Sequence, residues 1–83
     1  MEEKKVYSMG DIEEMEMKLE EVCNPKGLEI YDAIYNNADS HTINLYDHYG
    51  EVMAGGLPED IIDDEFSRSL CDGIQKVIDK ISK

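Results

Sequence analysis

The sequence predicts an α+β fold: a three-stranded antiparallel sheet with two helices packed on one face, in the order α-β-β-β-α. Three observations carry this. Apolar residues recur at helical spacing in 8–23 and again from Ile62 to Ile81. Between them, 28–36 and 42–49 alternate in a two-residue period. The joins are rich in Asn, Asp, Gly and Ser. Short hairpins force neighbouring strands to run antiparallel, and the economical packing lays both helices on one sheet face.

The first helix spans 8–23. Ser8 with Asp11, or Asp11 with Glu14, supplies a capping pair. Ile12, Met15, Leu19, Val22 and Cys23 share one face, while Glu13, Glu14, Glu20 and Glu21 hold the opposite one with Glu16 on the flank. Asn24-Pro25-Lys26-Gly27 stops this helix, because proline cannot continue it and glycine tolerates the reversal.

The next segment, 28–36, reads as a strand with Leu28, Ile30 and Ile34 on one side and Tyr31, Ala33 and Tyr35 on the other. Asp32 interrupts the apolar side. A turn-rich loop at 36–40 leads to a second strand, 42–49. There Ile43, Leu45 and Tyr49 face one way and Thr42, Asn44, Tyr46 and His48 the other. Gly50 turns the chain into a short third strand, 51–54, ended by Gly55-Gly56. Pro58 suits a first helical turn, with Glu59 and Asp60 well placed for the helix dipole. Ile62, Phe66, Leu70, Ile74, Val77 and Ile81 then give the strongest helical signal in the chain. That helix either runs unbroken or breaks near Asp63-Asp64. Lys76, Lys80 and Lys83 complement its C-terminal end.

With 83 residues, the chain is read as a single domain, 1–83. Its N-terminal residues 1–5 lack the apolar run of a signal peptide, and no stretch approaches the roughly 18–20 apolar residues that span a bilayer. A cytoplasmic protein is expected. Cys23 and Cys71 are read as packing thiols on helix core faces, not as a disulfide. No metal site is expected: there is no CxxC or HExxH, and the Asp60, Asp63, Asp64 run lacks the spacing of a calcium loop. His41 and His48 would lie on opposite faces of a regular strand. No nucleophile has an evident base and no glycine-rich loop joins a strand to a helix, so neither catalytic residues nor a cofactor are expected and the chain is read as a non-enzyme.

Charge carries the functional reading. Twenty acidic residues against eight basic ones leave a formal net charge of −12. A protein this acidic repels nucleic-acid phosphates and anionic headgroups, so direct binding to nucleic acid or membrane is excluded. The acids are also segregated. Residues 27–67 hold ten carboxylates and no Lys or Arg: Glu29, Asp32, Asp39, Asp47, Glu51, Glu59, Asp60, Asp63, Asp64 and Glu65. Like charges three or four residues apart on a helix destabilise it by about 0.2–0.5 kcal/mol per pair. Glu13–Glu16, Glu16–Glu20 and Asp60–Asp64 are such pairs, so stability alone does not explain the pattern. Helix-borne carboxylates about 5–6 Å apart imitate the phosphate density of a duplex, about one charge per 1.7 Å of axis. The partner surface is therefore assigned to Glu13, Glu14, Glu16, Glu20 and Glu21, to Glu59, Asp60, Asp63, Asp64 and Glu65, and to Met17 as an apolar anchor within the acidic helix face. Tyr31, Tyr35 and Tyr46 join them as interface-favoured residues on the sheet face away from the helices, near His48 and Met53.

The small size, the acidity of 11–21 and 59–65 and the α-β-β-β-α order resemble the small acidic anti-CRISPR proteins of phages and other mobile elements. That resemblance implies an α/β miniprotein that blocks a CRISPR effector nuclease in a bacterial cell by placing carboxylates where the effector reads DNA. The expected partner is thus a basic nucleic-acid-binding protein, which the resemblance implies is a CRISPR effector. DNA-mimic inhibitors of restriction enzymes, uracil-DNA glycosylase or repressors fit the composition as well. The alternative reading is a small adaptor, antitoxin or immunity-like protein that binds through its tyrosine-bearing sheet face. Either would be a monomer or a homodimer, the latter joined at an exposed strand edge.

Overall fold

The computed structural model describes residues 6–82. Residues 1–5 and Lys83, read above for a leader and for the helix dipole, lie outside the described residues. Among those described, the chain forms four α-helices and no strand: α1 (Met9–Cys23), α2 (Ile30–Asn37), α3 (Ser40–Met53) and α4 (Asp64–Ile81), with 3-10 turns at Asn24–Lys26 and Glu59–Ile61. The expected α+β sheet is therefore overturned, while the first and last helices stand where their periodicity placed them.

The reason lies in 28–53. Ile30, Ala33 and Ile34 sit at helical spacing and form the buried face of α2, which leaves Tyr31, Asp32 and Tyr35 exposed. Over so few residues the helical and alternating patterns share Ile30 and Ile34, and Ala33 alone tells them apart. Packing on α1 and α4 decides for the helix, against the strand preference of Ile and Tyr. In α3, Thr42, Tyr46, Tyr49 and Val52 are buried at spacings of four, three and three. Asp39 caps this helix, its Oδ1 accepting from the Thr42 N–H at 2.8 Å. The expected third strand, 51–54, belongs to the last turn of α3 and its cap.

Glycine ends the turns that follow α1 and α3. Gly27 (φ 69°) and Gly55 (φ 87°) adopt the left-handed conformation. Around each, the two crossed bonds of a Schellman closure form: Leu28 N–H to Cys23 O (3.1 Å) with Gly27 N–H to Asn24 O (3.1 Å), and Gly56 N–H to Glu51 O (2.8 Å) with Gly55 N–H to Val52 O (3.0 Å). At the N-terminus of α1, Asp11 Oδ2 reaches back to the Ser8 N–H at 2.9 Å.

Helix α4 is the hub, packed against α1, α2 and α3. The core gathers Ile12, Leu19 and Cys23 of α1, Ala33 and Ile34 of α2, Tyr46 and Tyr49 of α3, and Leu70, Cys71, Ile74 and Val77 of α4. Both cysteines are buried and no disulfide joins them. At the α3–α4 crossing, a Cβ on Gly73 would lie 2.2 Å from Thr42 Oγ1, so only a hydrogen fits between the helices. The molecule measures 39 × 35 × 20 Å, and its short axis equals about two helix diameters. No helix of the described residues is long and apolar enough to cross a membrane. There is likewise no strand edge among them for a homodimer to use.

Candidate functional site

The packing of α2 on the core turns its tyrosines outward and toward α3. Tyr31 and Tyr35 are 52% and 43% exposed, with rings 5.9 Å apart and nearly parallel. Tyr31 meets Tyr46 of α3 edge-on at 5.3 Å, and Tyr46 stacks with Tyr49 at 6.2 Å. The result is a chain of four rings running from the surface into the core. The expected sheet face does not exist; these residues instead occupy the adjoining flanks of α2 and α3.

Carboxylates hold the ring hydroxyls. Tyr46 donates to Glu16 Oε2 at 2.8 Å and Tyr49 to Glu16 Oε1 at 3.4 Å, which ties α1 to α3. Tyr35 donates to Asp47. Burial first, and then the Glu16 charge, push the Tyr46 and Tyr49 phenols well above the ordinary tyrosine range. The charge of Glu13, about one turn before Glu16 on α1, also raises Tyr49. The hydrogen bond to Asp47 raises Tyr35.

Two clefts adjoin here and share Tyr31 and Tyr46. One is completed by Glu16, Tyr49, Gly50, Met53 and Ala54, the other by Glu20, Asn24, Leu28, Glu29 and Ile30. Among the described residues, no Lys or Arg lines either. Of the described cations, Lys18 and Arg68 line the α1–α4 groove on the other side of α1, along with Asp11, Glu14 and Asp72. Lys76 and Lys80 border a hollow beside Asn37 and Asp39; Lys76 pairs with Asp72 at 3.6 Å and Lys80 donates to Asn37 O. The charge segregation seen in the sequence thus persists in space.

The residues assigned from sequence divide into separate groups. Glu13, Glu16, Glu20, Tyr31, Tyr35 and Tyr46 come together on the tyrosine face. Met17, 63% exposed, and Glu21 lie on the outward side of α1, and Glu14 turns toward α4. The second acidic run sits elsewhere. Asp63 caps α4, accepting from the Phe66 N–H at 2.8 Å. Asp64 accepts from the Tyr7 N–H at 2.6 Å and pairs with Arg68 at 2.8 Å, while the Arg68 guanidinium stands 5.4 Å above the Tyr7 ring. Glu59, Asp60 and Glu65 are exposed near this end. A cleft there, lined by His41, Leu45, Ile61, Asp63, Glu65, Phe66 and Ser69, shares no residue with the tyrosine clefts.

Sequence reasoning missed Asp47, Tyr49 and Gly50 as parts of this face. The spacing of Tyr46, Tyr49 and Met53 in a helix was the signal that could have found them. His41 and His48, assigned to opposite strand faces, lie about two turns apart on α3, and His48 Nδ1 contacts Asn44 O at 2.6 Å. Among the described residues, no three His, Cys, Asp or Glu side chains gather closely enough to hold a metal ion. Chemically, the face offers carboxylate acceptors beside aromatic rings, which is a surface for cations. No family model, curated protein or solved structure matches the chain.

Proposed function

We propose that this protein is an acidic inhibitor that occupies the basic nucleic-acid-binding cleft of a larger protein. The small size and the acidity of 11–21 and 59–65, the parts of the resemblance that do not depend on the overturned α-β-β-β-α order, make a CRISPR effector nuclease the leading target. One observation carries the reading: among the described residues, the paired clefts on the α1–α2–α3 face are lined by Glu16, Glu20 and Glu29 and by no cation. Glu13, Asp32, Asp47 and Glu51 add charge on the same three helices. Carboxylates set on helices keep a fixed spacing, so a channel shaped for phosphates meets a ready-made anionic template. Such attraction speeds encounter and weakens with salt.

The test immobilises the protein in bacterial lysate at low salt and elutes with duplex DNA. A retained nucleic-acid-binding protein released by DNA supports the reading. Reversing Glu13, Glu20, Glu29 and Glu51 to Lys should abolish its capture with the helical signal intact. Unchanged capture by that variant contradicts the proposal. Exposed Tyr31, Tyr35 and Met53 favour a second reading, an adaptor or immunity-like protein docking through the same rings. It predicts binding that changes little with salt and is lost on Tyr35→Ala.

A further inference from the structure

We infer that the cleft between α1, α2 and α3 is a receptor for an arginine side chain of the basic partner. This rests on the inhibitor reading and specifies its chemistry. The cleft, about 430 Å³ in volume, has aromatic walls in Tyr31, Tyr46 and Tyr49 and the exposed thioether of Met53 at its rim. Gly50 lines it without a side chain: a Cβ there would already stand 3.6 Å from Tyr31 Oη, in van der Waals contact, so a longer side chain would take up cleft volume. The Glu16 carboxylate takes one hydrogen bond on each oxygen from a phenol. A carboxylate has about four acceptor positions, so two stay available to a guanidinium fork. No Lys or Arg among the described residues lies within ion-pair reach of Glu16.

The chain contains a filled version of this arrangement. At Tyr7, the Arg68 guanidinium lies over the ring while it pairs with the Asp64 carboxylate. The cleft offers the same two components, a ring beside a carboxylate, without the cation. Charge complementarity selects the occupant. A second copy of this chain would bring another −12 and set acids against acids. Arginine suits the site better than lysine, because a planar, weakly hydrated guanidinium stacks on a tyrosine face and bonds a carboxylate at two points.

The probe is a nine-residue peptide, Gly alternating with Arg, compared with its Lys and citrulline counterparts at low salt. Affinity is read by calorimetry and the binding position by the ring-proton shifts of Tyr31, Tyr46 and Tyr49. The Arg peptide should bind about three-fold or more tighter than the Lys peptide, and the citrulline peptide should fail to bind. Gly50→Leu fills the cleft without changing charge and should bring Arg affinity down to the Lys value. Tyr31→Ala, at an exposed position, should do the same. Equal binding of Arg and Lys peptides, or a preference that survives Gly50→Leu, overturns the arginine receptor and leaves the charge-mimic reading standing. Binding of neither peptide overturns both.

Discussion

Glu16 is the residue on which the tyrosine face turns, because both buried phenols point at it. Tyr46→Phe removes the shorter of the two bonds and leaves a half-buried carboxylate with one donor fewer. Hydrogen bonds to charged groups contribute about 1.5–3 kcal/mol, so a urea melt should show a loss at the lower end of that range. The phenols also set a pH response. Folding raises Tyr46 and Tyr49 above the unfolded tyrosine range, through burial first and the Glu16 charge second. Their contribution is complete below about pH 10 and is lost as pH rises beyond it. In an alkaline titration, their phenolate absorbance should therefore appear together with loss of the helical circular dichroism. Phenolate forming at Tyr46 and Tyr49 in a fully helical protein would contradict the buried hydrogen-bonded geometry.

At the scale of elements, the α3–α4 crossing is the tightest joint. A methyl on Gly73 collides with Thr42 Oγ1 and Cγ2. Overpacking of this kind costs about 1–3 kcal/mol and outweighs the gain in helix propensity of about 1 kcal/mol. Gly73→Ala should lower the thermal midpoint, and adding Thr42→Ala should recover part of the loss. Additive losses would mean that the helices do not meet there. The cap of α3 gives an acid counterpart. The Thr42 N–H holds the Asp39 carboxyl below the usual carboxylate range, so its contribution is present above that range and fades as pH falls through it. Asp39→Ala should lower the thermal midpoint at neutral pH and leave the melt less sensitive to acid.

These elements also show what could be read from the chain alone. α1 and α4 were legible because Ile12 to Cys23 and Phe66 to Ile81 keep helical spacing over several turns, and Ser8 and the Asn-Pro-Lys-Gly stop mark the two ends of α1. α2 was not, since Ile30 and Ile34 satisfy both periods within eight residues, Ala33 alone tells them apart, and Ile and Tyr favour strands. In α3 the decisive sign was Asp39 three residues before Thr42, an N-cap that the turn-like Asn-Asn-Ala-Asp-Ser run concealed. The gathering of Glu16, Tyr46 and Tyr49 spans more than thirty positions and depends on α1 lying beside α3, which no local pattern encodes. The acidic character of the face was legible in composition; the loss of Asp63 and Asp64 to capping and to the Tyr7 and Arg68 contacts was not.

For the whole molecule, the decisive property is that the tyrosine clefts are lined by charge of one sign, whereas the α1–α4 groove mixes acids with Lys18 and Arg68. Among the described residues, the tyrosine clefts are lined by acids and no cation; Lys18, Arg68, Lys76 and Lys80 sit around α4 and the far flank of α1, and Lys26 stands in the exposed turn that follows α1. A molecule 39 Å along its longest axis spans roughly a turn of duplex, whose helical repeat is about 34–36 Å. The most direct measurement is competition: fluorescence anisotropy of labelled duplex DNA on the captured partner, titrated with this protein at two salt concentrations. Full displacement of the DNA, needing more protein at the higher salt, is the expected result. A ternary complex in which partner, DNA and this protein coexist at saturation would contradict the account.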